Sequence, residues 1–250
     1  MDPAVGLLRG PAAYMARSPW RPLRAVLATA GIILAAILAA AVLLGATSPG
    51  GFSARGHLDQ RTAVLATLAL WQVITIGLTV AASRLYGGHV RDVLALRAPA
   101  GTPIVYVKSL LTLVALQTLV SAVQYFAGSE DRFADLRPMV QLIGGAQLLL
   151  ALLVVGIGAP LSEELLFRGF LFSALAGSRL GFAGAALITS ASWAALHYGY
   201  TPIGLAEVFL VGLLFAWFLW RTGSLRVAIF CHALYNSFIV VVLRHVPLPT

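Results

Sequence analysis

AVLATAGIILAAILAAAVLLGA, residues 25–46, contains no charged side chain, and a stretch of this kind decides the fold. At a rise of about 1.5 Å per residue, a helix over it covers the roughly 30 Å hydrocarbon core of a bilayer. Hydrocarbon offers no partner to backbone N–H and C=O groups, so the run must satisfy them internally, as a helix does. Similar runs recur over residues 62–85, 104–126, 139–158, 161–176, 182–198, 203–220 and 225–243. The expected fold is therefore all-α, a polytopic transmembrane bundle of about eight helices.

Turn chemistry separates the runs. Ser48-Pro49-Gly50-Gly51, Gly87-Gly88, Ala100-Gly101-Thr102-Pro103, Ala159-Pro160 and Thr222-Gly223-Ser224 supply turn residues or helix stops. Composition agrees: 60% of the residues are hydrophobic and 10% charged, with a mean hydropathy of +0.91, whereas soluble domains carry roughly 25% charged residues. The expected organisation is a cytoplasmic N-terminal segment (1–24), scaffold helices (25–158), chemistry-bearing helices (159–243) and a short tail (244–250). The first run is too long for the apolar core of a cleaved signal peptide and reads as a retained helix. Cys231, the single cysteine, excludes an intrachain disulfide and reads as a small buried hydrophobe.

The formal charge is +8, yet the cations flank apolar runs and form no nucleic-acid-binding face. Arg9, Arg17, Arg21 and Arg24 precede the first run, and Arg84, Arg91, Arg97 and Lys108 fall around the second break. By the positive-inside bias this sets the N-terminus in the cytoplasm and the Glu130–Asp135 segment on the opposite side of a plasma membrane.

Polar groups inside the apolar runs are the functional signal, because charge in hydrocarbon is costly and rare without a role. Gln72, Gln117 and Gln124 are isolated amides that read as packing bonds between helices. The last third of the chain differs. In Pro160-Leu161-Ser162-Glu163-Glu164-Leu165-Leu166-Phe167-Arg168, proline suits a helix's first turn and Ser162 could cap it, which would set both glutamates at the helix's electropositive end. Glu164 and Arg168 are i,i+4 neighbours, whereas Glu163 points well away from Arg168. One carboxylate can be held by the arginine while the other stays free to take a proton from water, as a general base must. Trp193 precedes His197 by one turn on the same helical face. His232 and Asn236, the chain's only asparagine, share a face of an otherwise apolar helix. Each element alone could be a packing device; together they supply a base, an orienting ion pair, two imidazoles and an amide. Glu163, His197 and His232 are also a plausible ligand set for a divalent metal such as zinc, so the residues leave open a glutamate-activated or a metal-bound water.

This order of motifs resembles the CPBP family of intramembrane proteases, also called the CAAX protease and bacteriocin-processing, or Abi, family. Its Glu-Glu-x-x-x-Arg, aromatic-x-x-x-His and His-x-x-x-Asn stand here as Glu163-Glu164 with Arg168, Trp193 with His197, and His232 with Asn236. The stretch Phe209-Leu210-Val211-Gly212 and the turn Arg221-Thr222-Gly223-Ser224-Leu225 look similar too, over about residues 158–243. The resemblance implies an endopeptidase acting on membrane-associated peptides or proteins from a cavity entered from the membrane or its cytoplasmic edge. It implies Glu163 as the base, His197 as a holder of the water, His232 and Asn236 on the oxyanion side, and Glu164 with Arg168 in support. Phenylalanine is frequent where Trp193 stands. Two further readings compete: a proton- or cation-coupled transporter using Glu207 with the two glutamates, and a non-catalytic scaffold that sequesters a membrane partner. No inverted repeat or paired broken helices favour the transporter. Glu207 is expected to line a cavity or bond a neighbouring helix.

Overall fold

The computed structural model describes residues 12–47, 59–128, 133–143 and 147–245. All regular structure among them is helical. In chain order the helices are α1 (Pro22–Thr47), α2 (Gln60–Ser83), the single turn α3 (Val90–Val93), α4 (Ile104–Phe126), the short α5 (Arg137–Ile143), α6 (Leu148–Ala176), α7 (Gly181–Ala195), α8 (Pro202–Thr222) and α9 (Leu225–His245). Six of these, α1, α2, α4, α6, α8 and α9, are long and apolar enough to cross a membrane, and the protein is an integral membrane helical bundle. The expected stops at Gly87-Gly88, at residues 100–103 and at 222–224 all fall between helices. At the last of them Gly223 takes φ +66°, the left-handed conformation that closes a helix, and its N–H bonds the Leu219 carbonyl. The Ser48–Gly51 break lies outside the described residues, as do Arg9, Glu130, Asp131 and Arg132.

The expected stop at Ala159-Pro160 is overturned. A single helix runs from Leu148 to Ala176, so the stretch 161–176, expected as a helix of its own, is the second half of a long span. Proline ends an α-helix because it lacks an N–H and its ring crowds the carbonyl four residues back. Here the helix widens into π-winding over Leu152–Gly158 and again over Glu164–Leu171, which re-registers the backbone bonds around the proline. The Ala159 N–H then bonds the Val154 carbonyl five residues back. In that register Val155 is the carbonyl Pro160 cannot serve. The Asn236 amide serves it instead, donating to Val155 O at 3.2 Å.

Loss of the break also removes the expected cap. Ser162 is buried in mid-helix and donates to the Ala159 carbonyl, and the two glutamates sit in the middle of α6, away from any helix terminus. The apolar run 139–158 is likewise divided, its first residues belonging to α5.

Packing follows from small residues where α6 meets its neighbours. Gly158 lies against Gln72, whose amide donates to Val154 O at 3.0 Å, so Gln72 is a bond between α2 and α6. Gly156 faces Ser237 of α9, where a Cβ would come within 2.5 Å of the hydroxyl. The main core joins Phe167, Phe170 and Phe172 of α6 to Phe215 and Phe218 of α8 and to α9 through Val227, Ala228 and Cys231.

Candidate active site

Glu164 and Arg168 lie side by side on the π-wound part of α6, both fully buried, with Nη1 3.1 Å from Oε1. Arg168 stacks beneath the Trp193 indole, its guanidinium carbon 4.2 Å from the ring centroid. Among the described residues its Nε and Nη2 have no hydrogen-bond partner, so the ring face supplies part of the compensation a buried cation needs. Gly212 of α8 makes room for this guanidinium. A Cβ there would meet Nη2 and the Ser190 side chain at 2.8 Å.

Glu163 is treated differently by the same helix. Its side chain keeps 24% of its exposure while that of Glu164 keeps none, and among the described residues no arginine is paired with it. The Trp193 indole N–H donates to Glu163 Oε2 at 2.7 Å, and His232 Nε2 lies 3.9 Å from the same oxygen. The division of the two carboxylates expected from their helical angles is present. Its physical basis is that one faces a packed interior and the other a cavity.

The two imidazoles are fixed through Nδ1. That of His232 lies 3.1 Å from Glu164 Oε1, the oxygen that also takes Arg168, and it donates because the carboxylate can only accept. In His197, just beyond the end of α7, Nδ1 donates to the Trp193 carbonyl at 3.1 Å. Neither Nε2 is held by a protein hydrogen bond among the described residues. Trp193 thus holds three groups at once: Glu163 through its indole N–H, His197 through its carbonyl, and Arg168 through its ring face. The sequence marks it only as an aromatic, and its N–H, absent from phenylalanine, is the signal that could have found this role.

Glu163, His197, His232 and Asn236 line one cavity of about 320 Å³. Glu164 and Arg168 lie behind its wall. Asn236 borders the cavity but spends one N–H on Val155 O, so the packing bond expected of it as a bland alternative is present beside its place at the cavity. Glu207 lines the same space, as do Gln117 and Gln124, which reach beyond the packing role expected of them. Gln117 Nε2 lies 2.7 Å from the Tyr235 hydroxyl across that wall. Asp135 and Tyr200, which carried no sequence signal, complete the rim. Asp135 takes hydrogen bonds from the Thr201 N–H at 2.7 Å and hydroxyl at 2.8 Å, tying the segment before α5 to the turn before α8. Burial first, and then the carboxylates of Glu163, Asp135 and Glu207, push the Tyr200 phenol up to about 12, so it meets the cavity as an O–H donor at neutral pH.

Among the described residues no three His, Cys, Asp or Glu side chains form a group able to hold a metal ion. Glu163, His197 and His232 do not fit as a ligand set in this arrangement.

A family model, Type II CAAX prenyl endopeptidase Rce1-like, matches residues 145–238. That span takes in α6 to most of α9 and all six candidate residues. No curated protein and no solved structure matches the chain.

Proposed function

From the Rce1-like domain at residues 145–238, whose family is one of CAAX-type intramembrane endopeptidases, we propose that this protein hydrolyses peptide bonds of membrane-associated substrates with a water activated by Glu163. One observation carries the reading: the only member of the glutamate pair left unpaired by arginine shares a cavity with two imidazoles and an amide.

Water entering the cavity donates one hydrogen bond to Glu163 and the other to the His197 Nε2 lone pair, left exposed because Nδ1 carries the proton. Glu163 takes a proton as the water oxygen attacks the peptide carbonyl carbon. His232 Nε2 lies 3.9 Å from Glu163 Oε2 and, when protonated, donates to the oxyanion that develops. The Glu164 carboxylate at Nδ1 holds that ring in place and offsets its charge. The second N–H of Asn236 is free to join it. Collapse of the tetrahedral intermediate breaks the C–N bond, and Glu163 returns its proton to the leaving amine. Arg168 pairs with Glu164 and fixes it without touching substrate.

Against a transport pathway stands the aromatic layer of Phe167, Phe170, Phe172 and Phe218, each at most 1% exposed, beneath the cavity.

The experiment is cleavage of a library of membrane-tethered peptides by the purified protein. Glu163→Ala, His197→Ala and His232→Ala are expected to lose about 10²–10⁴-fold in rate, the usual worth of positioned acid–base groups. Undiminished cleavage in Glu163→Ala would overturn the assignment.

A further inference from the structure

The two ends of the bundle carry very different charge. At one end lie Arg17, Arg21 and Arg24 around the start of α1, and Arg84, Arg91 and Arg97 between α2 and α4. Lys108 near the start of α4, Arg179 in the turn after α6, and Arg221 and Arg226 at the α8–α9 turn join them. Hydrogen bonds establish that these are one surface. The Tyr14 N–H bonds Trp220 O, the Trp20 indole bonds Ala82 O, the Ala100 N–H bonds Thr222 O, and Arg226 bonds Leu96 O. Among the described residues the acidic side chain beside them is Asp92, engaged by Arg97 at 2.6 Å and by Arg17 at 3.8 Å. At the opposite end the described cationic side chains are Arg61, Arg137 and Arg244, accompanied by Asp59 and Asp135. An imbalance of this size marks the first end as cytoplasmic.

The cavity belongs to the other end. Its rim is built by Phe133, Asp135 and Leu136 before α5, by Tyr200 in the turn after α7, and by Gly204 in the first turn of α8. Toward the cationic end, past Glu163 on α6 and Phe215 on α8, Phe167, Phe170, Phe172 and Phe218 are buried and line no part of it. Beyond them Tyr14 of the N-terminal segment packs edge-on against Phe172 at 5.4 Å. The resemblance implied entry from the membrane or from its cytoplasmic edge; with the cationic end cytoplasmic, the first of these routes is compatible with this rim.

We infer that the cavity opens on the non-cytoplasmic side of the membrane, and that its substrate is a polypeptide presenting the scissile bond at or beyond the outer leaflet. The substrate clause rests on the hydrolytic reading above; the sidedness rests on charge and cavity shape alone.

Single cysteines test the sidedness without catalysis. Cys231 is fully buried, so the native chain is a silent background for a membrane-impermeant maleimide. His89→Cys reports the cationic end and Gly199→Cys the rim end, both at exposed positions. Ser121→Cys, on the α4 wall of the cavity, reports the cavity itself to a small charged methanethiosulfonate. In intact bacterial cells expressing the full chain, Gly199→Cys and Ser121→Cys should react from outside, and His89→Cys only after the membrane is opened. The reverse pattern, or a Ser121→Cys that reacts from neither side, would overturn the inference. A second arm displays the same tethered peptides outside or inside the membrane. Cleavage restricted to the outer display supports the inference, and cleavage of the inner display contradicts it. Cleavage of neither, with the labelling as expected, removes the hydrolytic reading and the substrate clause while the sidedness stands.

Discussion

The first helices and the later ones solve the same problem, living in hydrocarbon, in opposite ways. In α1 and α4 only 22% and 17% of the most apolar window is buried, and the rest is a lipid-facing surface of leucine, valine and alanine. In α6 the share is 44%, and the helix carries two carboxylates and a guanidinium through the protein interior. In the first region Gln72 and Thr67 each bond one backbone carbonyl, and Gln117 meets one side chain, the Tyr235 hydroxyl. In the second region Glu163, Glu164, Arg168, Trp193 and His232 contact one another, so a substitution at one is felt by several. The lesson is that α6 is buried where it carries charge, and that adjacent positions on it set two carboxylates in different surroundings.

The contrast can be broken at several points. The largest expected effect on stability is at Arg168. Arg168→Ala leaves the Glu164 carboxylate buried and uncompensated, a change worth about 3–5 kcal/mol in comparable buried pairs, and thermal unfolding in detergent should fall accordingly. Replacing Glu164 and Arg168 together by leucine and methionine should recover part of that loss while leaving His232 without its anchor. An Arg168→Ala protein that melts like the native one would show the pair to be dispensable packing.

Gly212→Ala comes next. The added methyl would meet Arg168 Nη2 and Ser190 at 2.8 Å, and overpacking of this kind costs about 1–3 kcal/mol. The same change at Gly31 of α1, where nothing lies within 4 Å, should be nearly silent. Equal effects at the two glycines would erase the distinction between the regions.

Trp193→Phe sharpens the comparison within the site. It keeps the ring over Arg168 and the backbone carbonyl for His197 but removes the donor to Glu163 Oε2, a charge-assisted bond worth about 1.5–3 kcal/mol. Cleavage should fall by roughly ten-fold or more through kcat, with KM little changed, because substrate does not contact the indole N–H. A loss confined to KM would assign Trp193 to substrate binding.

The smallest effect belongs to the scaffold. Asp59 caps α2, and hydrogen bonds from the Thr62 hydroxyl and N–H, with a lesser contribution from Arg61, hold its carboxyl below the usual 3.8. A depressed folded value means that the cap's contribution is present above the unfolded value and is lost as pH falls through the folded one. Amide exchange in the first turn of α2 should therefore quicken only in that acid range, and Asp59→Asn should flatten the dependence. Cleavage at neutral pH should be unaffected.

How far the sequence alone reaches differs between the regions for physical reasons. Apolar length marks the lipid-facing helices because hydrocarbon thickness sets it, and the i,i+4 geometry of Glu164 and Arg168 places their ion pair without any tertiary information. The continuity of α6 through Pro160 was not legible. It depends on π-winding and on an amide from α9, and Asn236 is 76 residues away along the chain. The same holds for Trp193, whose hydrogen bond to Glu163 exists only once α7 packs on α6, and for Asp135, a loop carboxylate whose partner Thr201 comes from another loop. Residue type and spacing register what a helix does to itself. What one helix supplies to another has to be seen.

Glu163 and Glu164 are adjacent and chemically identical, so comparing Glu163→Gln with Glu164→Gln for both turnover and melting temperature tests the division between them most directly. The account predicts that Glu163→Gln melts like the native protein and does not cleave, and that Glu164→Gln melts lower because Arg168 has lost its counter-charge. Full turnover in Glu163→Gln, or a lowered melting temperature in that variant with none in Glu164→Gln, would contradict it.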